Sequence, residues 1–188
     1  VALAAALAPA LILAVAGCAH RSATSTAPST ATTTATPSTP ETIRAPAGQV
    51  FFLETRATGV QVYECTTRPG APESWAWTFR APEATLFDGA GRSIGRHYAG
   101  PTWESTDGSI VVGEVRAADP APVPGAIPWL LLTARSSSET GMFAGTRSIQ
   151  RVQTEGGLAP AQSCGAANAK QLARVPYKAI YNFFRSAR

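Results

Sequence analysis

The densest group of chemistry-bearing side chains lies between His97 and Asp107. His97, Tyr98, Trp103, Glu104 and Asp107 are gathered there around Gly100-Pro101. Polar and aromatic groups on loops or strand ends of a rigid scaffold are the usual material of a binding site. The leading expectation is a non-enzymatic module for a small or glycan-like ligand, with Trp103 and Tyr98 stacking on it while His97 and Glu104 hydrogen-bond to it. The rival is a hydrolase-like enzyme, with His97 as general acid and Glu104 or Asp107 as base, provided burial tunes the imidazole. The plainest alternative puts Trp103 in the core and bonds His97 to a nearby carbonyl, leaving a structural or protein-interaction module.

Other motifs carry less. Gly91-Arg92-Ser93-Ile94-Gly95 matches the nucleophile-elbow pattern, but that device needs a strand-to-helix turn, with an acid and a His later in the chain. Here a turn precedes the Ser, a strand-like segment follows, and His97 comes four residues after the Ser with no acid between. Two glycines around a hairpin serine account for it. One His and one pair of cysteines do not fill a zinc tetrahedron. A carboxylate-only cation site would have to use Glu104 and Asp107, and Asp107 already has a role in a turn. Gly156-Gly157 lacks the P-loop lysine and the dinucleotide spacing. No metal or cofactor is expected.

The elements that must hold these residues read as strands. Val60-Gln61-Val62-Tyr63 alternates, and Trp75, Trp77 and Phe79 share a face. Ser109 to Val115 is rich in β-branched residues, Trp129 to Thr133 is a short apolar run, and Phe143 to Thr154 continues the pattern. In Tyr177 to Phe184, Tyr177, Ala179, Tyr181 and Phe183 fall on one face. Asp107-Gly108 predicts a type I′ hairpin turn, and Asp88-Gly89-Ala90-Gly91 a second turn. The proline-rich stretch 120–125 is a loop, and Ala166 to Ala173 is the single short helix expected. The fold class is therefore all-β, a mainly antiparallel sandwich or barrel with at most one short helix. There is no βαβ alternation to support a nucleotide-binding fold.

The ends of the chain differ from this domain. Residues 1–17 are apolar and close on small residues, as a signal peptide does. Val15-Ala16-Gly17-Cys18 resembles a bacterial lipobox, so Cys18 is the expected lipid attachment and the membrane the expected partner. Conventional secretion, with cleavage after Ala14-Val15-Ala16, and an accidental Cys are the alternatives. Ala19 stands where an Asp would retain many Gram-negative lipoproteins in the inner membrane. By that sorting rule the outer membrane is favoured, facing the periplasm or the surface. Residues 19–48, mostly Ser, Thr, Ala and Pro, read as a disordered tether that reaches on the order of 30 Å. Residues 49–188 form one domain with fourteen basic and eleven acidic side chains, interspersed as on a solvated surface rather than gathered as on a nucleic-acid face. With Cys18 committed to lipid, Cys65 and Cys164 are left as a disulfide pair, or as two separate buried thiols.

Several stretches carry a resemblance: 59–65 (Gly-Val-Gln-Val-Tyr-Glu-Cys), 81–88, 97–104, Ile127-Pro128-Trp129-Leu130-Leu131-Leu132, 149–160 and Val175-Pro176-Tyr177. In this order they resemble domain-of-unknown-function family 3455, found in exported bacterial and fungal proteins, over residues 49–184. The resemblance implies an all-β secreted domain and supports pairing Cys65 with Cys164. It implies no activity and no catalytic residue. A dehydrogenase-like label carried by some fungal members has no nicotinamide-binding pattern here to support it.

Overall fold

The computed structural model describes residues 1–2 and 39–187. Most of the segment read as a signal, together with Cys18 and most of the tether, lies outside the described residues.

Eight strands form a closed antiparallel barrel in chain order: β1 (Gln49–Arg68), β2 (Ala71–Phe87), β3 (Ser93–Tyr98), β4 (Thr102–Ser105), β5 (Ile110–Asp119), β6 (Trp129–Ser137), β7 (Thr146–Gly156) and β8 (Leu172–Ser186). Closure comes from β1, which pairs with β8 from Gln49 to Glu64 and with β2 from Arg56 to Arg68. Every strand thus has two neighbours, and no edge is left to template aggregation. A strand that pairs with both neighbours along most of its length must coil. Gly59 sits at a close approach of β1 to β2, since a Cβ there would meet the Glu83 carbonyl oxygen at 2.1 Å.

Alternation sorts the side chains. Leu86, Ile94, Val111, Leu132, Ile149 and Phe183 point inward and form the core, joined by Tyr177, Ala179 and Tyr181, which share a face of β8 with Phe183 as expected. Arg56, Arg96, Glu114 and Lys178 are exposed outside. An apolar interior behind a charged exterior is the inverse of a lipid-facing barrel.

Three local expectations change. Ala166–Ala173 is not a helix: one 3₁₀ turn, Ala166–Asn168, is followed by β8 from Leu172. The Asn168 side chain accepts the Gly165 N–H at 2.7 Å, which competes with helical bonding. The Asp107-Gly108 turn is not type I′, because Gly108 has positive φ (82°) and Asp107 does not. Finally, the fold begins before residue 49. Ile43 is fully buried on a 3₁₀ turn (Glu41–Ile43), its carbonyl accepts a 2.7 Å bond from Gln150 Nε2, and Thr42 hydrogen-bonds to Asp119. One large apolar residue in a polar stretch was enough to dock it.

The disulfide joins Cys65, near the end of β1, to Cys164 in the β7–β8 connection. That connection is also held by backbone bonds from Lys170 N to Cys65 O (2.9 Å) and from Cys65 N to Gln171 O (3.0 Å), and by Trp77 Nε1 donating to Gln162 O (2.9 Å).

Candidate functional site

Strand alternation divides the His97–Asp107 group between two faces of the barrel wall. His97 pairs with Trp103 and Arg96 with Glu104 across the β3–β4 ladder, so His97 and Trp103 point inward while Arg96, Tyr98 and Glu104 point outward. The structure therefore brings His97 to Trp103 and Tyr98 to Glu104, but not His97 to Glu104.

Inside, the His97 and Trp103 rings are stacked with centroids 4.4 Å apart, and Tyr181 meets both edge-on at 5.0 and 5.2 Å. The stack fits because Gly113 on β5 leaves room: a Cβ there would come within 3.0 Å of the indole. His97 Nδ1 lies 2.8 Å from the Thr102 carbonyl oxygen. A carbonyl only accepts, so Nδ1 carries the proton and Nε2 is left as an acceptor. Burial lowers the His97 pKa to about 3 despite the Thr102 bond, and the Arg151 charge pushes the same way. The imidazole is thus neutral at physiological pH.

Outside, Glu104 is already satisfied. Arg96 reaches it through Nη2 at 2.8 Å, and the Tyr98 hydroxyl donates to Oε2 at 2.8 Å. The Tyr98 and Arg96 bonds hold the carboxyl below its usual range, while the Glu104 bond raises Tyr98. Arg96 also lies over the Tyr98 ring at 5.1 Å. Trp103 and Tyr98 stand on opposite faces and form no common shelf. Asp107 is a turn hub: its carboxylate accepts from Ser109 N (2.8 Å), Ser109 Oγ (2.6 Å) and Met142 N (2.7 Å). The Ser109 bonds are the main reason its pKa falls to about 2.

A cavity of about 260 Å³ opens at the barrel end that carries Gln61 and the β1–β2 hairpin, and the inward stack forms part of its wall. Phe79, Pro82, Val115, Leu130 and Leu132 give it apolar walls, Pro101 and Gly100 part of its rim, and Gln61, Arg80, Arg151 and Tyr181 its polar groups. Phe79 and Val115 are about half exposed, at 49 and 51 %. Gln61 Nε2 and Trp103 Nε1 are sealed from solvent with no hydrogen-bond partner. Buried donors are nearly always paired, but neither of these atoms has surface open to the cavity.

Sequence reasoning found His97 and Trp103 but missed Gln61, Phe79, Arg80, Leu130 and Arg151, which come from β1, β2, β6 and β7. The shared face of Tyr177 and Tyr181 on β8 was an available pointer, and Tyr181 lines the cavity. Among the described residues no group of three or more His, Cys, Asp or Glu could hold a metal ion.

A family model described as "Protein of unknown function (DUF3455)" matches residues 46–185. No curated protein matches the chain, and no solved structure does.

Proposed function

The chain belongs to DUF3455, a family of unknown function, and we propose on the evidence of its barrel that it is a non-enzymatic binding module which takes a small molecule into the open end of that barrel. A cavity whose apolar walls are broken by a few polar groups, Gln61, Arg80 and Arg151, carries this reading. Eight-stranded barrels are just wide enough to hold one small ligand. Apolar walls with a few convergent polar groups are the common form of such sites. Half-exposed Phe79 and Val115 at the mouth give an entering ligand an apolar edge to cross.

Displacement of an environment-sensitive apolar dye tests the reading. Wild-type protein binds the dye with a rise in its fluorescence, and Val115→Trp, which fills the mouth from an exposed position, abolishes the rise while leaving the fold intact by circular dichroism. Equal dye binding by Val115→Trp would place the dye elsewhere and remove the cavity from the proposal.

The module is further proposed to be exported and tethered to the bacterial envelope by a lipid on Cys18. The apolar stretch ahead of Cys18, the Ser/Thr/Pro-rich segment after it and the Cys65–Cys164 bridge, a bond typical of oxidising compartments, support this. Metabolic labelling with a fatty acid should mark the wild type and not Cys18→Ser, and the variant should leave the membrane fraction. A Cys18→Ser protein that remains with the membranes would overturn the anchor.

A further inference from the structure

The charge of the cavity wall is unbalanced, and the imbalance describes the ligand. Two guanidinium groups line the cavity, Arg80 and Arg151, and no carboxylate does. Arg80 is already neutralised by Glu64, with Nε and Nη2 both 2.6 Å from its carboxylate. Arg151 is not. Its Nε and Nη2 donate to the Pro128 carbonyl at 3.1 and 2.8 Å, and among the described residues no carboxylate lies within ion-pair distance of it. A carbonyl satisfies donors without offsetting their charge, so a half-buried cation faces a largely apolar chamber.

Gln61 and Trp103 share the cavity with Arg151, but their unpartnered nitrogens, Gln61 Nε2 and Trp103 Nε1, have no surface open to it, which leaves Arg151 as the donor a bound group would meet. A guanidinium without a carboxylate on a largely apolar wall asks for an anionic group. A carboxylate in the plane of a guanidinium makes the strongest such bonds and can reach a second donor with its other oxygen. Phe79, Val115, Leu130 and Trp103 ask for an apolar, preferably flat, body. A volume of about 260 Å³ lies just below the roughly 300–1,000 Å³ of drug-sized sites, which limits that body to something compact.

We infer that the ligand is a small organic carboxylate with a compact aromatic or short aliphatic body, its carboxylate held by Arg151 and its body laid among Trp103, Leu130 and Phe79. This rests on the binding reading above and narrows it to a chemical class.

Phenylacetate and its neutral isostere phenylacetamide separate the two claims when titrated calorimetrically into the full chain at pH 7. The carboxylate should bind at least tenfold more tightly than the amide. In Arg151→Gln that ratio should fall towards one, with the amide affinity little changed. Arg151→Lys, which keeps the charge but loses the fork, should fall between them, and its thermal melt shows whether loss of the Pro128 contact disturbs the fold. An amide that binds as tightly as the carboxylate, or a ratio that survives Arg151→Gln, would overturn the anionic class and leave the cavity reading standing. Binding of neither probe, with the dye also excluded, would overturn both.

Discussion

His97 shows how one side chain's chemistry is set by the ring it lies on and the carbonyl it faces. Stacked on Trp103 and sealed from water, it cannot take up a proton without losing most of its hydration. The unfolded chain protonates His97 near pH 6.5, the folded one only near 3. Its contribution to stability is therefore complete above pH 6.5 and is lost progressively as pH falls towards 3. Urea unfolding of the wild type should show a loss of about 2 kcal/mol between pH 6.5 and 5, above the range in which carboxylates titrate. His97→Phe should be flat over that window, and an equal slope in the variant would remove His97 as the source. The sequence identified His97 and Trp103 as bearers of chemistry because their types are informative anywhere. It did not separate them from Glu104, since one residue step along a strand crosses the wall of the barrel.

At the scale of elements, the strands were legible and their ends were not. Period-two alternation in β1 and β8 follows from the local chain, so Tyr177, Ala179, Tyr181 and Phe183 share one face as predicted, and the structure makes it the inward one. Two segments departed from expectation where a side chain captured a backbone group. Asn168 caps its own loop, and Asp107 gathers Ser109 and Met142, and neither arrangement follows from propensity alone. The strand contact most exposed to a single change is at Gly59. A methyl group there would sit 2.1 Å from the Glu83 oxygen and 2.5 Å from the Ala84 Cα, both backbone atoms that move only if β1 and β2 part. Gly59→Ala should cost roughly 3 kcal/mol or more, read as a fall in the urea midpoint. Thr58→Ala, on the exposed side of the same strand, should stay within about 0.5 kcal/mol. Equal midpoints for the two variants would mean that the ladder is looser there than its geometry requires.

The whole molecule is closed twice, once by the β1–β8 seam and once by the bridge between Cys65 and Cys164, 99 residues apart in sequence. A cross-link of that span restricts the unfolded chain strongly, for which the entropy model gives at most about 4.7 kcal/mol. Replacing both cysteines by serine should lower the unfolding free energy by a substantial part of that figure. The folded barrel should persist, because its ladders and the backbone bonds around Cys65 do not need the sulfurs. Thiol labelling of the denatured, unreduced wild type should find neither cysteine reactive. Two labelled thiols would rule the bridge out.

The all-β class, most strand positions and two of the cavity's aromatic groups were determined by the sequence, because alternation, turn residues and side-chain type are local properties of a chain. Ring closure came only from the tertiary structure, and with it the cavity. Gln61, Phe79, Leu130 and Arg151 stand far apart along the chain, on four different strands, and share a chamber only because β1 pairs with both β2 and β8. The same closure put Trp103 inside and Glu104 outside, so that adjacent residues serve opposite sides of one wall. Periodicity specifies that neighbours face apart. Which face becomes the interior, and what meets there from distant strands, is fixed by the long-range pairing that buries the most apolar surface.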